Sequence, residues 1–272
     1  MYVRLVTWWT ILRIGLEERL VYRADFALGT LMRFLPIITQ IFLWAAVFET
    51  VGGRDVAGYS YENMVAYYLL TMMSRAFSSM PGLASGVSTQ IRNGEIKKFL
   101  IQPVDLIGFM LLNRVAHKLT YYMVAILPFA GVFYLCRGFF VDGWPPAETL
   151  LIYVTTLLLG FLLGFFLEMC IGLIGFWFLE VTSLLFVYML LNFFLSGHMF
   201  PLDMLPDWAA TIVDLFPLKY LAYFPAAVFL GQLEHAEVIR GLWIEIGWVV
   251  TFMILSRLMY WYGVKQYSAY GG

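Results

Sequence analysis

The residues of this sequence that could carry chemistry are few and scattered. Its three histidines, His117, His198 and His235, stand apart from each other and from paired carboxylates at metal-ligand spacing. The sequence has neither a GxxxxGK[ST] phosphate-binding loop nor a GxSxG nucleophile motif. We therefore expect no metal, no bound cofactor and no ATP hydrolysis by this chain itself. Cys136 and Cys170 lie in or beside apolar runs and are expected to be small buried hydrophobic side chains.

Three glutamates lie in or next to apolar runs, where an ionisable side chain is costly and often functional. Glu245 is a candidate intramembrane functional acid, although pairing with a neighbouring helix explains it equally well. Glu168 and Glu180 bracket Gly172 and Gly175. A cytoplasmic turn there would bring both carboxylates to water or to a basic partner, and a proton site is the alternative.

The composition of the chain is that of a membrane protein. Of the 272 residues, 62% are hydrophobic, 18% are aromatic and only 13% are charged, whereas a soluble domain carries about 25% charged residues. The net charge of −1 provides no field that would recruit nucleic acid. A cytosolic enzyme, a disordered chain and a disulfide scaffold are excluded.

Six continuous apolar segments are long enough, or nearly so, to cross a bilayer core of about 30 Å, which needs roughly 20 helical residues. They are Phe26–Phe48, Met64–Met80, Leu119–Cys136, Leu150–Leu167, Val181–Phe200 and Leu242–Leu255 with its flanks. The sequence predicts an all-α membrane protein with six transmembrane helices in a single domain over residues 25–272. Gly160 and Gly164 form a GxxxG pair, a weak signal for close helix packing.

Lysine and arginine residues predict the orientation. Eleven flank the spans on the side that holds both termini, and four lie on the other side. We therefore expect a multi-pass protein of the plasma membrane with both termini in the cytoplasm. The first 24 residues contain four arginines and two glutamates and do not resemble a cleavable signal peptide.

Residues 1–24 are predicted to form an amphipathic helix in the cytoplasmic interface. Its apolar stripe consists of Leu5, Trp8, Trp9, Leu12, Leu16 and Leu20, opposite Arg13, Glu17 and Glu18. Arg19 and Arg23 interrupt the stripe. The alternative is a simple anchor preceding the first span.

A basic segment, residues 88–118, separates the second and third predicted spans. Gly94 and Pro103 divide it into a short amphipathic helix flanked by turns. Its candidate partner-binding residues are Arg92, Asn93, Gly94, Glu95, Lys97, Lys98, Phe99, Leu100 and Pro103. The alternative is a solvated cytoplasmic loop.

An outer segment, residues 201–236, is apolar yet contains Pro201, Pro206, Pro217 and Pro225. We expect two short helices that enter the outer leaflet and return, packed against protein. Its candidate gate residues are Phe216, Pro217, Tyr220, Tyr223, Phe224 and Pro225. The alternative is a seventh span broken by Pro225.

The stretch Ile91–Asp105, with its run GEIKKFLIQPVD, resembles the cytoplasmic motif of ABC transporter permeases of the second permease class, which are small six-span exporter-type subunits. The run Phe216–Gly231 is similar to the segment before the last span of that family. With the predicted topology, the resemblance covers nearly the whole chain.

The resemblance implies a permease that lacks an ATPase and works as a dimer or heterodimer bound to separate nucleotide-binding subunits. ATP and Mg would be bound by those partners, the basic segment would couple to them, and the outer segment would close the path. Most members export drugs, lipids, glycans or peptides. The alternative function is a proton- or ion-coupled secondary transporter that uses Glu168, Glu180 or Glu245, although the chain has no internal repeat of the kind such carriers often show.

Overall fold

The computed structural model describes residues 2–20, 23–141, 143–178 and 180–267, with side chains at positions 6–18, 32 and 35–267 within those ranges. These residues form eleven α-helices, short 3-10 turns and no strand. The helices are α1 (Tyr2–Leu20), α2 (Arg23–Thr50), α3 (Tyr61–Ser78), α4 (Leu83–Arg92), α5 (Lys97–Ile101), α6 (Leu106–Leu135), α7 (Ala147–Leu173), α8 (Thr182–Leu195), α9 (Asp207–Asp214), α10 (Tyr223–Phe229) and α11 (His235–Gln266).

Three of these helices are long and apolar enough to cross a membrane: α6, α7 together with the 3-10 turn that extends it to Phe176, and α11. The part Leu35–Thr50 of α2 and the whole of α8 are shorter apolar helices. The predicted all-α membrane fold is confirmed, and the count of six spans stays a prediction.

The helix that contains the third predicted span begins earlier than its hydropathy indicates. α6 starts at Leu106 instead of Leu119, because the Asp105 side chain caps it by accepting a hydrogen bond from the Gly108 amide at 2.7 Å. Lys118 lies buried within the helix. Polar side chains lower local hydropathy without interrupting a helix, so much of the basic segment is helical and is not a loop.

The chain divides into two compact units, and the first comprises Met1–Leu69 and Gln102–Val141. In this unit α1 packs on α6: a Cβ on Gly15 would lie 3.2 Å from Ala116, and one on Gly108 would lie 3.0 Å from the Trp8 ring. Trp9, which belongs to the predicted apolar stripe, is 66% exposed. The buried face of α1 is therefore rotated away from Trp9.

The side chains of several residues used in the prediction for residues 1–24 lie outside the described part of the structure. They are Arg4, Leu5, Arg19, Leu20 and Arg23. Among the described residues of α1, Arg13 and Glu17 form an exposed ion pair at 2.8 Å.

The second unit comprises Leu70–Ile101 and Asp142–Gly272, and α7 packs against several of its elements through glycines. A Cβ on Gly164 would lie 2.2 Å from the Ser78 carbonyl oxygen, and one on Gly160 would lie 3.3 Å from the Tyr220 carbonyl oxygen. Further along α7, Gly172 contacts α4 in the same way. The GxxxG pair therefore marks an interface within the chain.

A break between α3 and α4 lies at the end of the second predicted span, Met64–Met80. Pro81 starts the turn, and Gly82 adopts a left-handed conformation with φ of +72°. α4 then buries one amphipathic face, formed by Leu83, Ala84, Val87, Ser88 and Ile91. This three- and four-residue spacing is visible in the sequence, although α4 was not predicted.

Candidate functional site

The turn between α4 and α5 carries most of the predicted partner-binding residues. Gly94 has a φ of +78°, which a residue with a side chain rarely adopts, and it permits the chain to reverse after Arg92. The Ile96 amide donates to the Gln90 carbonyl oxygen at 3.2 Å and closes the turn. The geometry of this part of the basic segment is therefore set by its backbone.

The predicted residues divide by exposure. The exposed ones are Arg92, Asn93, Glu95, Lys97, Lys98, Leu100 and Pro103, whereas Gly94 is half-buried and Phe99 is buried. Leu100 is 42% exposed, and the next residue, Ile101, is 82% exposed. An exposed apolar pair bordered by charged side chains is typical of a surface that contacts a protein or a membrane. Ile101 extends this apolar face beyond Leu100, the last apolar residue among the predicted partner-binding residues.

Tyr267 links this turn to the end of α11. Its hydroxyl donates to the Ile91 carbonyl oxygen at 3.2 Å, and a Cβ on Gly94 would lie 3.7 Å from that hydroxyl. The Phe176 ring contacts Tyr267 edge-on at 5.8 Å and packs on Gly263 of α11. No motif in the sequence indicated a role for Tyr267, since only the fold brings it to a turn 176 positions away.

Glu180 adds a second contact to the same turn. Its carboxylate lies 3.7 Å from the Arg92 guanidinium and accepts hydrogen bonds from the Thr182 hydroxyl and amide. The Thr182 hydrogen bonds lower the pKa of Glu180, and the charge of Arg92 lowers it further. Glu180 is exposed, so the structure supports the predicted contact with a basic group more than a proton site.

The outer segment consists of short elements. It contains α9 and α10 with 3-10 turns at Leu202–Met204 and Pro217–Leu221. α10 has seven residues, too few to cross a bilayer by itself. Pro225 lies in the first turn of α10, where a helix needs no donor from the backbone.

Most of the predicted gate residues are buried within their own unit. Pro217, Tyr220, Tyr223, Phe224 and Pro225 are buried, whereas Phe216 is 41% exposed.

Three contacts hold the buried residues in place. The Phe224 ring packs on Gly241 of α11, and the Tyr223 amide donates to the Ser196 carbonyl oxygen at 2.9 Å. The Tyr223 hydroxyl donates to the Asp203 carboxylate. These side chains therefore fix the outer segment to α11 and to the end of α8.

Glu245 is fully buried in α11. Neither of its carboxylate oxygens has a hydrogen-bond partner among the described residues. A Cβ on Gly160 would lie 3.9 Å from its Oε1. The interpretation that Glu245 pairs with a neighbouring helix is therefore not supported by a polar contact.

A cavity of about 610 Å³ lies in the second unit between the α3–α4 break and α8. Arg75, Glu168, Asn192 and His198 contribute its polar wall. Of these four residues, only Glu168 was a candidate functional residue from the sequence. Within the described ranges, no group of three or more His, Cys, Asp or Glu residues could hold a metal ion.

A protein-family model described as ABC-2 family transporter protein matches residues 34–271 of the chain. The chain belongs to this family. A comparison with curated proteins found no match. ABC-2 permeases are membrane subunits of ABC transporters and are not themselves the nucleotide-binding component. Membership therefore makes the chain a multi-pass membrane permease and implies partnership with an ABC ATPase subunit.

Proposed function

We propose that this ABC-2 permease is the transmembrane subunit of an ATP-driven exporter of a hydrophobic or amphiphilic substrate. The ATPase would be a separate subunit that binds ATP and Mg. Six spans with both termini in the cytoplasm would place the basic segment on the ATPase side of the plasma membrane. The observation that carries the proposal is the turn between α4 and α5, with its exposed charged residues and the exposed pair Leu100 and Ile101.

The contacts that the turn makes with the rest of its unit are consistent with a role in coupling the ATPase to the permease. Tyr267 connects it to α11, and Glu180 connects it to the start of α8. A displacement of the turn by a bound ATPase would act on two transmembrane helices at once. A solvated loop would need neither contact.

The test is co-purification of the ATPase subunit with permease variants. Glu95→Lys reverses a charge on the exposed face, and Leu100→Asp places a charge on its apolar pair. We expect each to reduce ATPase recovery at least fivefold and to lower transport, because a charge buried in an interface without a partner is unfavourable.

Matched substitutions at other exposed positions serve as controls. Glu148→Lys lies at the start of α7, and Leu135→Asp lies at the end of α6, where the leucine is 80% exposed. Both should leave ATPase recovery unchanged. If Glu95→Lys and Leu100→Asp bind the ATPase and transport normally, the coupling role is refuted.

The exporter is proposed to contain two permeases, either two copies of this chain or this chain with a related permease. One chain with six spans has too few helices to enclose a large amphiphile and still present two coupling segments to two ATPases. Native mass measurement of the complex in nanodiscs should give two permeases. A complex with one permease would contradict the dimer.

The outer segment is proposed to close the path at the outer leaflet. The Tyr220 carbonyl oxygen contacts Gly160, 13 residues into α7 and therefore roughly 20 Å along that helix. Such a depth supports a re-entrant arrangement, in which irregular backbone is covered by protein.

A further inference from the structure

The helix α8 differs from α7 of the same unit in how it is packed. None of its fourteen residues, all of which the structure describes, is buried, whereas fourteen of the 27 residues of α7 are buried. We propose that α8 carries movement of the turn between α4 and α5 to the outer segment, and that Glu180 attaches it to that turn. The inference rests on the proposed function, because it needs an ATPase bound at the turn. The residues concerned all belong to the second unit.

Glu180 joins the turn to the start of α8. Its carboxylate accepts hydrogen bonds from the Thr182 amide at 2.9 Å and from the Thr182 hydroxyl. The same carboxylate lies 3.7 Å from the guanidinium of Arg92, which is the last residue of α4. Val181, between Glu180 and the helix, is buried. A displacement of Arg92 therefore acts directly on the first turn of α8.

The other end of α8 is attached to the outer segment. Ser196, which follows the last helical residue, is buried, and its carbonyl oxygen accepts a hydrogen bond from the Tyr223 amide at 2.9 Å. Tyr223 is the first residue of α10 and one of the predicted gate residues. The backbone hydrogen bonds of a fourteen-residue helix fix its length at about 21 Å. A movement at the start of α8 is therefore passed on to the outer segment at its end.

The cavity of about 610 Å³ provides room for α8 to move. One face of the helix borders it, with Leu185, Met189 and Asn192 at helical spacing. From Leu185 to Phe193 this face is about 12 Å long, and a helix about 10 Å wide that shifts about 3 Å sideways sweeps roughly 360 Å³ over that length. The swept volume is smaller than the cavity, so α8 can shift toward the α3–α4 break without displacing buried side chains.

The helix α11 also contacts the turn, through Tyr267, but it is packed against its neighbours. The Phe224 ring lies on Gly241, and the Cys170 thiol donates to the Phe252 carbonyl oxygen at 3.7 Å. Movement of α11 would disturb these contacts, whereas elements with few buried contacts move at low cost. We therefore assign the movement to α8 and the fixed frame to α7 and α11.

The experiment measures movement of the outer segment and needs no known substrate. The permease is co-purified with its ATPase in nanodiscs, with Cys136→Ala, Cys170→Ala and a single reporter, Ala227→Cys, in α10. Ala227 is fully buried. We expect ATP and Mg to raise the rate at which the reporter reacts with a maleimide at least fivefold, because movement of α8 displaces α10. An unchanged rate in the presence of bound ATPase would overturn the proposal.

Two tryptophan substitutions on different faces of α8 test the direction of movement. Met189→Trp adds volume on the face that borders the cavity, and Leu191→Trp adds it on a face that does not. The two residues are 66% and 44% exposed, so neither substitution disturbs a buried side chain. We expect Met189→Trp to reduce the ATP-dependent increase to less than twofold and Leu191→Trp to retain it. Equal effects would contradict movement into the cavity, and a loss in Leu191→Trp alone would show that α8 is held on its other face.

Glu180→Gln tests the attachment to the turn. Glutamine keeps an oxygen that accepts from Thr182 but loses the charge that attracts Arg92. We expect the ATP-dependent increase to fall to less than half, while ATPase recovery and ATP hydrolysis stay within about twofold. Glu148→Gln, at an exposed glutamate in the first turn of α7, is the matched control and should leave the increase unchanged. A normal increase in Glu180→Gln would refute the role of Glu180.

Recovery of the ATPase separates failure of this inference from failure of the proposed function. If the ATPase is recovered and ATP accelerates labelling, but Met189→Trp and Glu180→Gln behave as the unmodified protein, α8 does not carry the movement and the exporter proposal stands. If the unmodified chain recovers no ATPase, the exporter proposal is refuted, and the inference that rests on it is refuted with it.

Discussion

Glu245 shows at the residue scale how burial limits the role of a charged group. The side chain is fully buried beside Gly160, and no described residue forms a hydrogen bond with its carboxylate oxygens. An ionised carboxylate in such a position costs several kcal/mol unless it is paired. Glutamine has nearly the same shape and carries no charge.

We therefore expect Glu245→Gln to retain folding and ATP-driven transport within about twofold of the unmodified protein. Glu245→Lys should reduce the yield of folded protein severely, because it introduces a longer charged side chain at the same buried position. Both are measured by size-exclusion profile and transport in proteoliposomes.

The same variant separates the exporter from the proton-coupled alternative. A secondary carrier that moves its proton through Glu245 would lose transport in Glu245→Gln while it folds normally. That result would contradict the exporter proposal and support the proton-coupled alternative.

At the scale of elements, the glycines of α7 decide how closely its neighbours approach. The Ser78 carbonyl oxygen, at the end of α3, occupies the space where a side chain at Gly164 would begin. Gly131 of α6 has no neighbouring heavy atom within 4 Å of an added Cβ among the described atoms. The two positions therefore differ in packing although both are helical glycines.

We expect Gly164→Ala to lower stability by about 1–3 kcal/mol, because the contacting atom belongs to the backbone and cannot rotate away. Gly131→Ala should be neutral or stabilise by about 0.5–1 kcal/mol, since alanine favours a helix over glycine. Thermal unfolding in detergent compares them. An equal change in both would contradict the contact.

The exposed residues of the outer segment differ from most of the predicted gate residues. Tyr223 and Phe224, two of the predicted gate residues, are only 7% and 3% exposed. Leu215 and Phe216 are 69% and 41% exposed and precede the buried part. Lys219 lies 2.5 Å from Asp214.

If the outer segments of two permeases meet, Leu215→Cys or Phe216→Cys in a chain lacking Cys136 and Cys170 should cross-link the pair with a bismaleimide. The cross-link should reduce transport at least tenfold while ATPase recovery persists. Tyr223→Cys is the buried control and should cross-link little. A cross-link at Leu215 that leaves transport unchanged would show that the segment is only a packed loop.

At the scale of the whole molecule, the exposed loops provide a test of topology. Asp55, Asp207 and Asn93 are exposed. A further outer-loop position, Asp142, lies outside the described residues. The distribution of lysine and arginine predicts that the three aspartates face outward and that Asn93 faces the cytoplasm.

Single cysteines at Asp55, Asp142 and Asp207 should therefore react with an impermeant maleimide in intact cells. A cysteine at Asn93 should react only after the membrane is permeabilised. Labelling of Asn93→Cys from outside intact cells would reverse the topology and remove the basic segment from the ATPase side.

The sequence by itself determined the membrane class, the apolar helices and the family, because composition, hydropathy and the motif near Gly94 are local properties. It also located the turn at Gly94 and the prolines of the outer segment. Three decisions depended on tertiary structure: the contact of Tyr267 with Ile91, the cavity that joins Arg75 to His198, and the burial of Phe224 on Gly241. Each joins residues far apart in the chain, and the direction of a side chain depends on which helix packs against it.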